Sequence, residues 1–433
     1  MRNLFEEIIK DFQASGPRSL TPRQIAIPAL PDALNKPLAF VGMRRSGKTF
    51  LMYQIQQELI AQGIDRRQLV FINFEDERLR QVCSDHLRLI TEVHAELFPE
   101  FASGRRYLFL DEIQLVDGWE RFVRRLIDTD NIRVYLTGSS SKMLSHEVAS
   151  ALRGRSLAIE VSPFSFREGL AHLGQRVPEL ADSKDVARLK KHFRDYLVCG
   201  GFPETIGLDE ALRIKILQEY VAVAVQRDIC ERHGVHNPEP LRGLIRSMLA
   251  NAASLFSVNK AYNSFKSQGR TVSKDSMYRF LGYIQDAFLL FTVEMHNPSQ
   301  SVRAANPKKI YAVDPGLVTS FSWKFARNTG ALLENCVYCE LRRRFDRIHY
   351  YRTASGKEVD FCCTDIKGNP SLFQVCADSS AMDTLERETV ALLEAMAEIG
   401  MKEAFLITLD ENRSLRRQGC TINLVPAYAW MLR

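Results

Sequence analysis

The first third of the chain alternates between short apolar runs and helical patterns. The apolar runs predict five buried strands, at Leu38–Val41, Gln68–Phe74, Arg106–Leu110, Ile132–Leu136 and Leu157–Val161. The stretch Lys48–Ala61, between the first two runs, has the apolar periodicity of a helix. Short buried strands that alternate with helices pair in parallel and are joined by crossover helices. We therefore predict an α/β fold built on a parallel sheet.

The pattern changes after Pro163. Residues 164–250 read as helices that are interrupted by the turn Gly200–Pro203, and a compact helical set continues to about residue 295. Mixed strands and helices return from about residue 300. The strands expected there are Lys309–Val313, Arg347–Arg352, Glu358–Thr364, Ser371–Val375 and Ala404–Leu409.

Composition and charge place the chain among ordinary globular proteins. Of its 433 residues, 45% are hydrophobic and 25% charged. No apolar run approaches the roughly 18 residues of a membrane span. The segment Met1–Lys10 is charged and lacks an apolar core, so we expect no signal peptide and a cytoplasmic location. The net charge of +6 permits contact with nucleic acid but does not require it.

The nine cysteines follow no disulfide framework, which is typical of a reducing compartment. Cys336 and Cys339, with the pair Cys362–Cys363, offer a zinc site as one interpretation. The first two cysteines, however, lie in the helical pattern Leu332–Leu341. That pattern favours the other interpretation, in which they are small core residues.

Residues 42–49, GMRRSGKT, follow the first strand and open the first helix. They fit the phosphate-binding pattern G-x-x-x-x-G-K-[ST] at every fixed position. Its glycines let backbone N–H groups face a phosphate, its lysine neutralises phosphate oxygens, and its hydroxyl binds Mg²⁺. We therefore expect ATP and Mg²⁺ as cofactors. The residues expected at the nucleotide are Gly42, Arg44, Arg45, Ser46, Gly47, Lys48, Thr49 and Phe50, with Thr49 also at the metal.

The second half of this site is expected where the third strand ends, at Asp111 and Glu112. The carboxyl ends of parallel strands are where α/β sheets bind ligands. We expect Asp111 to hold Mg²⁺, directly or through a water, and Glu112 to orient and deprotonate the attacking water. The alternative is an acidic pair that only ends a strand, and the phosphate-binding pattern in the same chain argues against it.

Two further groups are candidates for catalysis, beside Lys48 and Glu112. Ser139 follows the fourth strand and is our candidate for a residue that senses the γ-phosphate; the alternative is a turn that caps the next helix. Arg153 and Arg155 are candidates for neutralising charge in the transition state, in cis or from a neighbouring subunit, with Arg155 favoured. The alternative is that both arginines are solvated.

Several short motifs occur in the order of a known family. They are residues 42–49, Leu110–Gln114, Leu136–Ser141, Leu152–Arg155, Pro163–Glu168, Gly200–Glu204, Arg227–Ile229 and Glu358–Phe361. From about Leu38 onward, the chain resembles the bacterial and archaeal AAA-type ATPases whose C-terminal region is the DUF4143 domain. The resemblance implies an AAA-type (ASCE) P-loop NTPase core with a helical lid, a winged-helix-like segment and a C-terminal domain similar to PD-(D/E)xK nucleases.

This organisation gives five predicted parts. They are an N-terminal helix and Pro-bearing arm (1–36), the P-loop ATPase domain (37–175), the helical lid (176–235), the winged-helix-like domain (236–299) and the nuclease-like DUF4143 domain (300–433).

We expect DNA contact through residues 256–290. Two helices are predicted there, Val258–Phe265 and Lys274–Ala287, and Ser273 is the expected N-cap of the second. That helix would be a recognition helix with Lys274, Tyr278 and Arg279 on its surface. The alternative is a small helical domain that packs on the ATPase or on a protein partner.

The C-terminal domain lacks part of a nuclease site. A nuclease of the PD-(D/E)xK class holds its metal with an Asp and then a Glu, and a Lys lies two residues after that Glu. Asp360 fits the first acid, and Glu334 fits a helix-borne acid. Gln374 and Cys376 stand where the Glu and the Lys are needed. Because a neutral amide binds Mg²⁺ poorly, we predict a degenerate nuclease fold kept for binding or assembly.

These expectations lead to an ATPase whose hydrolysis drives a conformational change on a DNA or protein partner. One alternative is a nucleotide-gated regulatory module with little turnover. The other is an ATP-dependent nuclease, which Gln374 and Cys376 argue against. A homo-oligomer is required if an arginine acts in trans, and no membrane contact is expected.

Overall fold

The computed structural model describes residues 1–31, 34–129, 131–138, 154–270, 272–322, 328–379 and 381–433. The chain forms two compact units, Met1–Ser162 and Pro163–Arg433. The N-terminal helix and arm therefore belong to the first unit, and the predicted ATPase boundary at residue 175 lies within the second. Among the described residues, no helix combines the length and apolar character needed to cross a bilayer.

The first unit is built on a parallel sheet. Its strands are β1 (Leu38–Val41), β2 (Leu69–Asn73), β3 (Arg106–Asp111), β4 (Ile132–Gly138) and β5 (Leu157–Glu160). They pair in the order β2-β3-β4-β1-β5. The predicted P-loop NTPase fold class is confirmed. Because β4 lies between β1 and β3, its end adjoins both the P-loop and the acidic pair.

Four helices are described in this unit: α1 (Arg2–Ala14), α2 (Lys48–Ala61), α3 (Arg88–Leu97) and α4 (Trp119–Thr129). Helix α1 buries Phe5, Ile8, Ile9 and Phe12, which share one face at helical spacing. Phe12 joins the core that surrounds β1 and α2. Burying each such side chain contributes about 1.5–3 kcal/mol, so α1 is part of the core of this unit.

The second unit begins with helices. Those described are α5 (Phe166–His172), α6 (Ser183–Cys199), α7 (Glu210–Val223), α8 (Glu239–Leu249), α9 (Val258–Ser267), α10 (Lys274–Asp286), α11 (Gln300–Ala305), α12 (Pro315–Phe321), α13 (Thr329–Arg344), α14 (Met382–Ile399) and α15 (Ala427–Trp430). Helix α7 continues into a π-helical segment, Ala224–Cys230, which contains the Arg227–Ile229 motif, and then into a short helical turn, Glu231–His233. The hydroxyl of Ser273 accepts a bond from the Ser276 N–H (3.0 Å), so Ser273 caps α10.

A small antiparallel sheet contains β6 (Leu255–Phe256), β7 (Leu290–Val293) and β8 (Lys308–Ala312) in the order β6-β8-β7. Strand β8 pairs with both of the others, so this sheet crosses the predicted boundary at residue 300. The sequence did not indicate this pairing, because backbone pairing between strands distant in sequence leaves no local signal at the boundary.

A six-stranded sheet completes the second unit. Its strands are β9 (Arg347–Arg352), β10 (Glu358–Thr364), β11 (Pro370–Cys376), β12 (Glu403–Thr408), β13 (Arg413–Arg417) and β14 (Cys420–Pro426), in the order β13-β14-β12-β11-β10-β9. Strands β13 and β14 were not predicted. Four of the five residues of β13 are exposed, so its sequence lacks the alternation of apolar and polar residues that predicts a strand.

Two of the family motifs, Pro163–Glu168 and Gly200–Glu204, are linked to Asp314, which caps α12. Its Oδ1 accepts from the Gly316 N–H (2.8 Å), and its Oδ2 accepts from the Gly201 N–H (2.6 Å). The Gly201 carbonyl in turn accepts from the Phe164 N–H (2.7 Å). Burial raises the pKa of Asp314 to about 6, while the backbone hydrogen bonds lower it. Asp314 therefore joins the Gly200–Glu204 turn to the start of α12.

Candidate nucleotide-binding site

The segment between β1 and α2 folds as a tight loop. Its glycines Gly42 and Gly47 have φ of +147° and +97°, and Arg45 has φ of +67°. A Cβ at Gly42 would lie 2.4 Å from the carbonyl oxygen of Val161. Only glycine therefore lets the loop begin so close to the end of β5. Helix α2 begins at the end of the loop and presents its N-terminus there.

Two polar side chains are buried in this loop. Lys48 is 5% exposed, and its Nζ donates to the carbonyls of Gly42 (3.0 Å) and Met43 (3.1 Å). Ser46 is fully buried, and its hydroxyl has no hydrogen-bond partner within the described part of the chain. A buried ammonium and an unsatisfied hydroxyl beside a helix N-terminus fit an anionic ligand such as a phosphate.

Asp111 joins β3 to the P-loop. Its Oδ2 accepts from the Thr49 hydroxyl (2.9 Å), and its Oδ1 accepts from the Thr137 hydroxyl at the end of β4. Burial raises the pKa of Asp111 to about 6; the Thr137 hydrogen bond lowers it, and the charge of Glu112 raises it. Carboxylate and hydroxyl oxygens are ligands that Mg²⁺ prefers, so Thr49 and Asp111 fit a magnesium ion.

Glu112 follows in a constrained conformation. It has φ of +53°, and its N–H donates to the Thr137 hydroxyl (2.9 Å). The Gln114 side-chain amide donates to Oε2 of Glu112. Left-handed backbone is sparsely populated by residues other than glycine and clusters at functional sites. Thr137 thus holds the backbone of Glu112 next to Asp111, and Gln114 holds its carboxylate.

The structure places Lys48, Thr49, Asp111 and Glu112 at one edge of the sheet. Thr137 and Gln114 complete this group and were missed by the sequence reasoning. Strand β4 ends two residues beyond its predicted end at Leu136. Thr137 therefore belongs to the strand and not to the expected loop, and it lies beside Asp111. Gln114 lies in the Leu110–Gln114 motif, which could have indicated it. Ser139 and Arg153 lie outside the described residues.

Three other predicted nucleotide contacts lie at the margin of the loop. Arg44 pairs with Glu75, with 3.3 Å between Nη1 and Oε1. Phe50 is 51% exposed and packs edge to face on Tyr53. Arg45 has a positive φ in the middle of the loop. Nucleotide contact by these side chains stays a prediction.

Arg155 lies at the other edge of the sheet. Arg155 precedes β5, whose first residue pairs with Leu38 at the start of β1. The guanidinium of Arg155 pairs with Asp128. The P-loop follows the far end of β1, and a four-residue strand is about 13 Å long. Arg155 therefore lies about one strand length from its own P-loop. Its action on the nucleotide, in cis or in trans, stays a prediction.

Comparison with protein families matches three parts of the chain. A model described as an AAA domain matches residues 34–170. Two models described as domains of unknown function match residues 190–327 (DUF8612) and residues 329–430 (DUF4143).

Two relatives cover most of the chain. Uncharacterized protein MJ1544 of Methanocaldococcus jannaschii is 33% identical over 447 residues, which span 99% of this chain and 95% of that protein. This chain belongs to the family of AAA-domain ATP-binding proteins with a C-terminal DUF4143 domain. An uncharacterized protein of Haemophilus influenzae is 31% identical over 322 residues, or 74% of this AAA-domain protein and 77% of the relative.

Solved structures are less similar. Caenorhabditis elegans PCH-2 has 14% identity and a TM-score of 0.23 over 58% of this chain and 60% of that one. A structure of Drosophila ORC bound to GC-rich DNA and Cdc6 has 8% identity and a TM-score of 0.19 over 76% of this chain and 92% of that one. Both scores are too low to carry an argument about the AAA-domain protein.

A buried cluster of charged residues links Lys309 of β8 to the region that matches DUF4143. The Lys309 side chain, 4% exposed, places Nζ 2.7 Å from Asp360 Oδ1, 3.0 Å from Glu334 Oε1 and 2.8 Å from Glu358 Oε1. The Tyr311 hydroxyl also donates to Glu334 (2.7 Å). Burial raises the pKa of Glu334, and so does the charge of Asp360, whereas Lys309 lowers it. The ammonium occupies the centre of the carboxylate group.

The two residues that depart from the nuclease pattern have other partners. Gln374 accepts from the Asp360 N–H (3.0 Å) and donates to Glu388 (2.6 Å). Cys376 donates to the carbonyl of Asp378 (3.2 Å), and burial raises the pKa of its thiol to about 11. Within the described residues, no group of three or more His, Cys, Asp or Glu side chains is arranged to hold a metal ion. The side chains of Gln374 and Cys376 are therefore both engaged by neighbouring groups of the chain.

The cysteines proposed as zinc ligands lie in the core. Cys336, Cys339, Cys362 and Cys363 are all buried free thiols. Cys339 donates to the carbonyls of Ala312 and Val313, both at 3.4 Å. Burial raises the pKa of Cys339 to about 12, which is typical of a thiol that serves as a small core residue.

Proposed function

We propose that the AAA domain binds and hydrolyses MgATP. The observation that carries this proposal is the contact between Thr49 and Asp111 (2.9 Å) with Glu112 held beside it. In this proposal Lys48 neutralises the β- and γ-phosphate oxygens, and Thr49 and Asp111 hold Mg²⁺. Glu112 takes the proton from the water that attacks the γ-phosphate. Mg²⁺ supplies neutralisation of phosphate charge.

Two substitutions separate nucleotide binding from chemistry. Lys48→Ala should abolish ATP binding, because it removes the buried cation of the loop. Glu112→Gln should bind ATP and lose at least about a hundredfold in turnover, the contribution of a general base. Glu100→Gln, an exposed glutamate of the same unit, is the matched control. Equal ATPase rates in the wild type and Glu112→Gln would overturn the assignment.

A second candidate is a nucleotide-gated binding module with little turnover. It is favoured by the hydrogen bond from Gln114 to Oε2 of Glu112, which engages one oxygen of the proposed base. A single-turnover measurement on pre-bound ATP distinguishes the two functions. ATP that stays intact over many hours supports the gated module, and ATP consumed within minutes supports the ATPase.

We propose DNA as the partner of residues 256–290. Helices α9 and α10 are joined by a short turn and followed by β7 and β8, with the sheet order β6-β8-β7. This succession has the connectivity of the expected winged-helix-like segment. The segment carries five basic and two acidic side chains. Helix α10 buries one face, and its other face exposes Lys274, Tyr278 and Arg279.

The DNA proposal is tested by the salt dependence of binding to a short duplex. Lys274→Ala with Arg279→Ala should weaken binding and lower the slope against salt by about 1 for each phosphate contact removed. Lys191→Ala, an exposed lysine on α6, should leave both quantities unchanged. Unchanged binding in the double variant would direct the search to a protein partner.

For the DUF4143 domain we propose binding or assembly without nuclease activity. The support is Lys309, which fills the centre of the carboxylate group, together with Gln374 and Cys376 at the positions of catalytic groups. Incubation with plasmid and Mg²⁺ or Mn²⁺ should produce no cleavage. Cleavage by the wild type that disappears in Asp360→Ala would overturn this proposal.

A further inference from the structure

Arg23 lies in the Pro-bearing arm before β1, and its side chain is buried against the P-loop. It is 6% exposed. Its Nη1 donates to the carbonyl of Ser46 (2.7 Å), and its Nη2 donates to the carbonyl of Ser162 (2.6 Å). One guanidinium therefore connects the end of the P-loop to the segment that follows β5.

The arm holds Arg23 in place at its backbone. The Arg23 N–H donates to Oε1 of Gln54 (2.6 Å), and Nε2 of Gln54 donates to the Arg23 carbonyl (3.2 Å). Gln54 belongs to α2, the helix that the P-loop opens. Ile25 and Ile27, which follow in the arm, pack against the core around β1. The guanidinium is thus fixed before any ligand binds.

The contact with Ser46 fixes the direction of a phosphate-binding N–H. No cis peptide bond occurs among the residues that the structure describes. In a planar trans peptide, the carbonyl of one residue and the N–H of the next point in opposite directions. Because Arg23 holds the Ser46 carbonyl, it also sets the direction of the Gly47 N–H, which a P-loop aims at the phosphate.

Space at the same point requires glycine. Gly47 has φ of +97°, and a Cβ there would lie 3.0 Å from Nη1 of Arg23. At the other end of the loop, a Cβ at Gly42 would meet the Val161 carbonyl at 2.4 Å. Both ends of the P-loop therefore rest against residues 161–162, directly at Gly42 and through the guanidinium at Ser46.

We propose that Arg23 is a positioning residue for phosphate binding: it preorganises the P-loop backbone and does not itself touch the nucleotide. The inference rests on the proposed ATP binding. The match to the AAA domain begins at residue 34, so this role falls to a segment outside the matched domain. Helix α1 and the arm are then required for nucleotide affinity as well as for folding.

The experiment measures ATP affinity at equilibrium in the full chain, at a temperature where circular dichroism shows each variant folded. Arg23→Gln removes the bidentate donor, and Arg23→Lys keeps the charge but cannot reach both carbonyls. Arg18→Gln is the matched control, since its guanidinium lies in the same arm, 5.3 Å from the centre of the Tyr53 ring. Steady-state KM and kcat are measured in parallel.

We expect Arg23→Gln to weaken ATP binding about ten- to hundredfold, as for loss of hydrogen bonds made by a charged group. KM should rise by a similar factor with kcat changed less, and Arg23→Lys should be intermediate. Unchanged affinity in folded Arg23→Gln, with only a lower melting temperature, would reduce Arg23 to a structural role. If the wild type itself does not bind ATP, the proposed function is wrong, and this inference, which rests on it, is wrong as well.

Discussion

The ammonium of Lys309 lies 2.7 Å from Oδ1 of Asp360 and is almost completely buried. Two more carboxylates, those of Glu334 and Glu358, approach the same nitrogen. The buried ammonium thus compensates part of the negative charge of the three carboxylates. Removing one partner of a buried ion group leaves the others uncompensated, which is far more costly than losing an exposed ion pair.

Lys309→Met should therefore lower the free energy of unfolding by about 3–5 kcal/mol near pH 8. Lys308→Met is the control, because Lys308 pairs with Glu294 with both side chains about a third exposed, and it should cost less than about 1 kcal/mol. Urea titration measures both. Equal effects of the two substitutions would show that the buried cluster is energetically unimportant.

Gln114 should act on turnover through Glu112, to which it donates a hydrogen bond. In Gln114→Ala the carboxylate is less well oriented, so we expect kcat to fall about ten- to hundredfold with KM for ATP unchanged. Gln62→Ala, at the exposed end of α2, serves as control. A kcat equal to or above the wild-type value would mean that Gln114 restrains the base instead of positioning it.

Gly200→Ala should destabilise the second unit by at least about 3 kcal/mol. A Cβ at Gly200 would lie 1.9 Å from Oδ1 of Asp314, and φ there is +76°. The carboxylate must move, which leaves buried N–H groups unpaired at about 1–3 kcal/mol, in addition to backbone strain of about 1–2 kcal/mol. Gly356 has φ of +87°, but a Cβ there would have no atom within 4 Å. Gly356→Ala therefore measures the backbone strain without a steric clash. Denaturant titration of both variants should separate the two costs.

Asp314 predicts a defined pH dependence. Its folded pKa of about 6 exceeds its ordinary value of 3.8, so the folded state binds the proton more tightly than the unfolded chain. Protonation of Asp314 therefore adds to the free energy of unfolding below about pH 4, and this contribution is lost as pH rises through about 6. Asp314→Asn cannot titrate, so the stability advantage of the wild type over this variant should shrink between about pH 4 and pH 7. An advantage that stays constant or grows with pH would contradict the assignment.

Much of the fold was readable from local pattern. The five strands of the first unit and helix Lys48–Ala61 were predicted within one or two residues, because a buried parallel strand is a continuous apolar run and the P-loop marks where its helix begins. The residues of the proposed nucleotide site were predicted from spacing alone, since phosphate chemistry dictates which residue stands at which position.

Other features depended on pairing across the fold. Strand β8 was expected in the C-terminal domain but pairs with β6 and β7, and β13 and β14 went unrecognised. Arg155 looked close to the site in sequence, yet the direction of β5 places it at the opposite edge. Strand order and direction are set by contacts between distant segments, which leave little trace in a local sequence pattern.

The sequence by itself determined that Gly42–Thr49 and Asp111–Glu112 are the candidates for a phosphate and metal site, because those motifs carry their chemistry in local spacing. Only the tertiary structure decided which distant groups support and compensate the charged sites: Arg23 behind the P-loop, Thr137 between its two halves, and Lys309 among the carboxylates. The physical reason is that a buried charge or backbone group must find a partner wherever the chain folds back upon it. That partner's position in the sequence is fixed by topology.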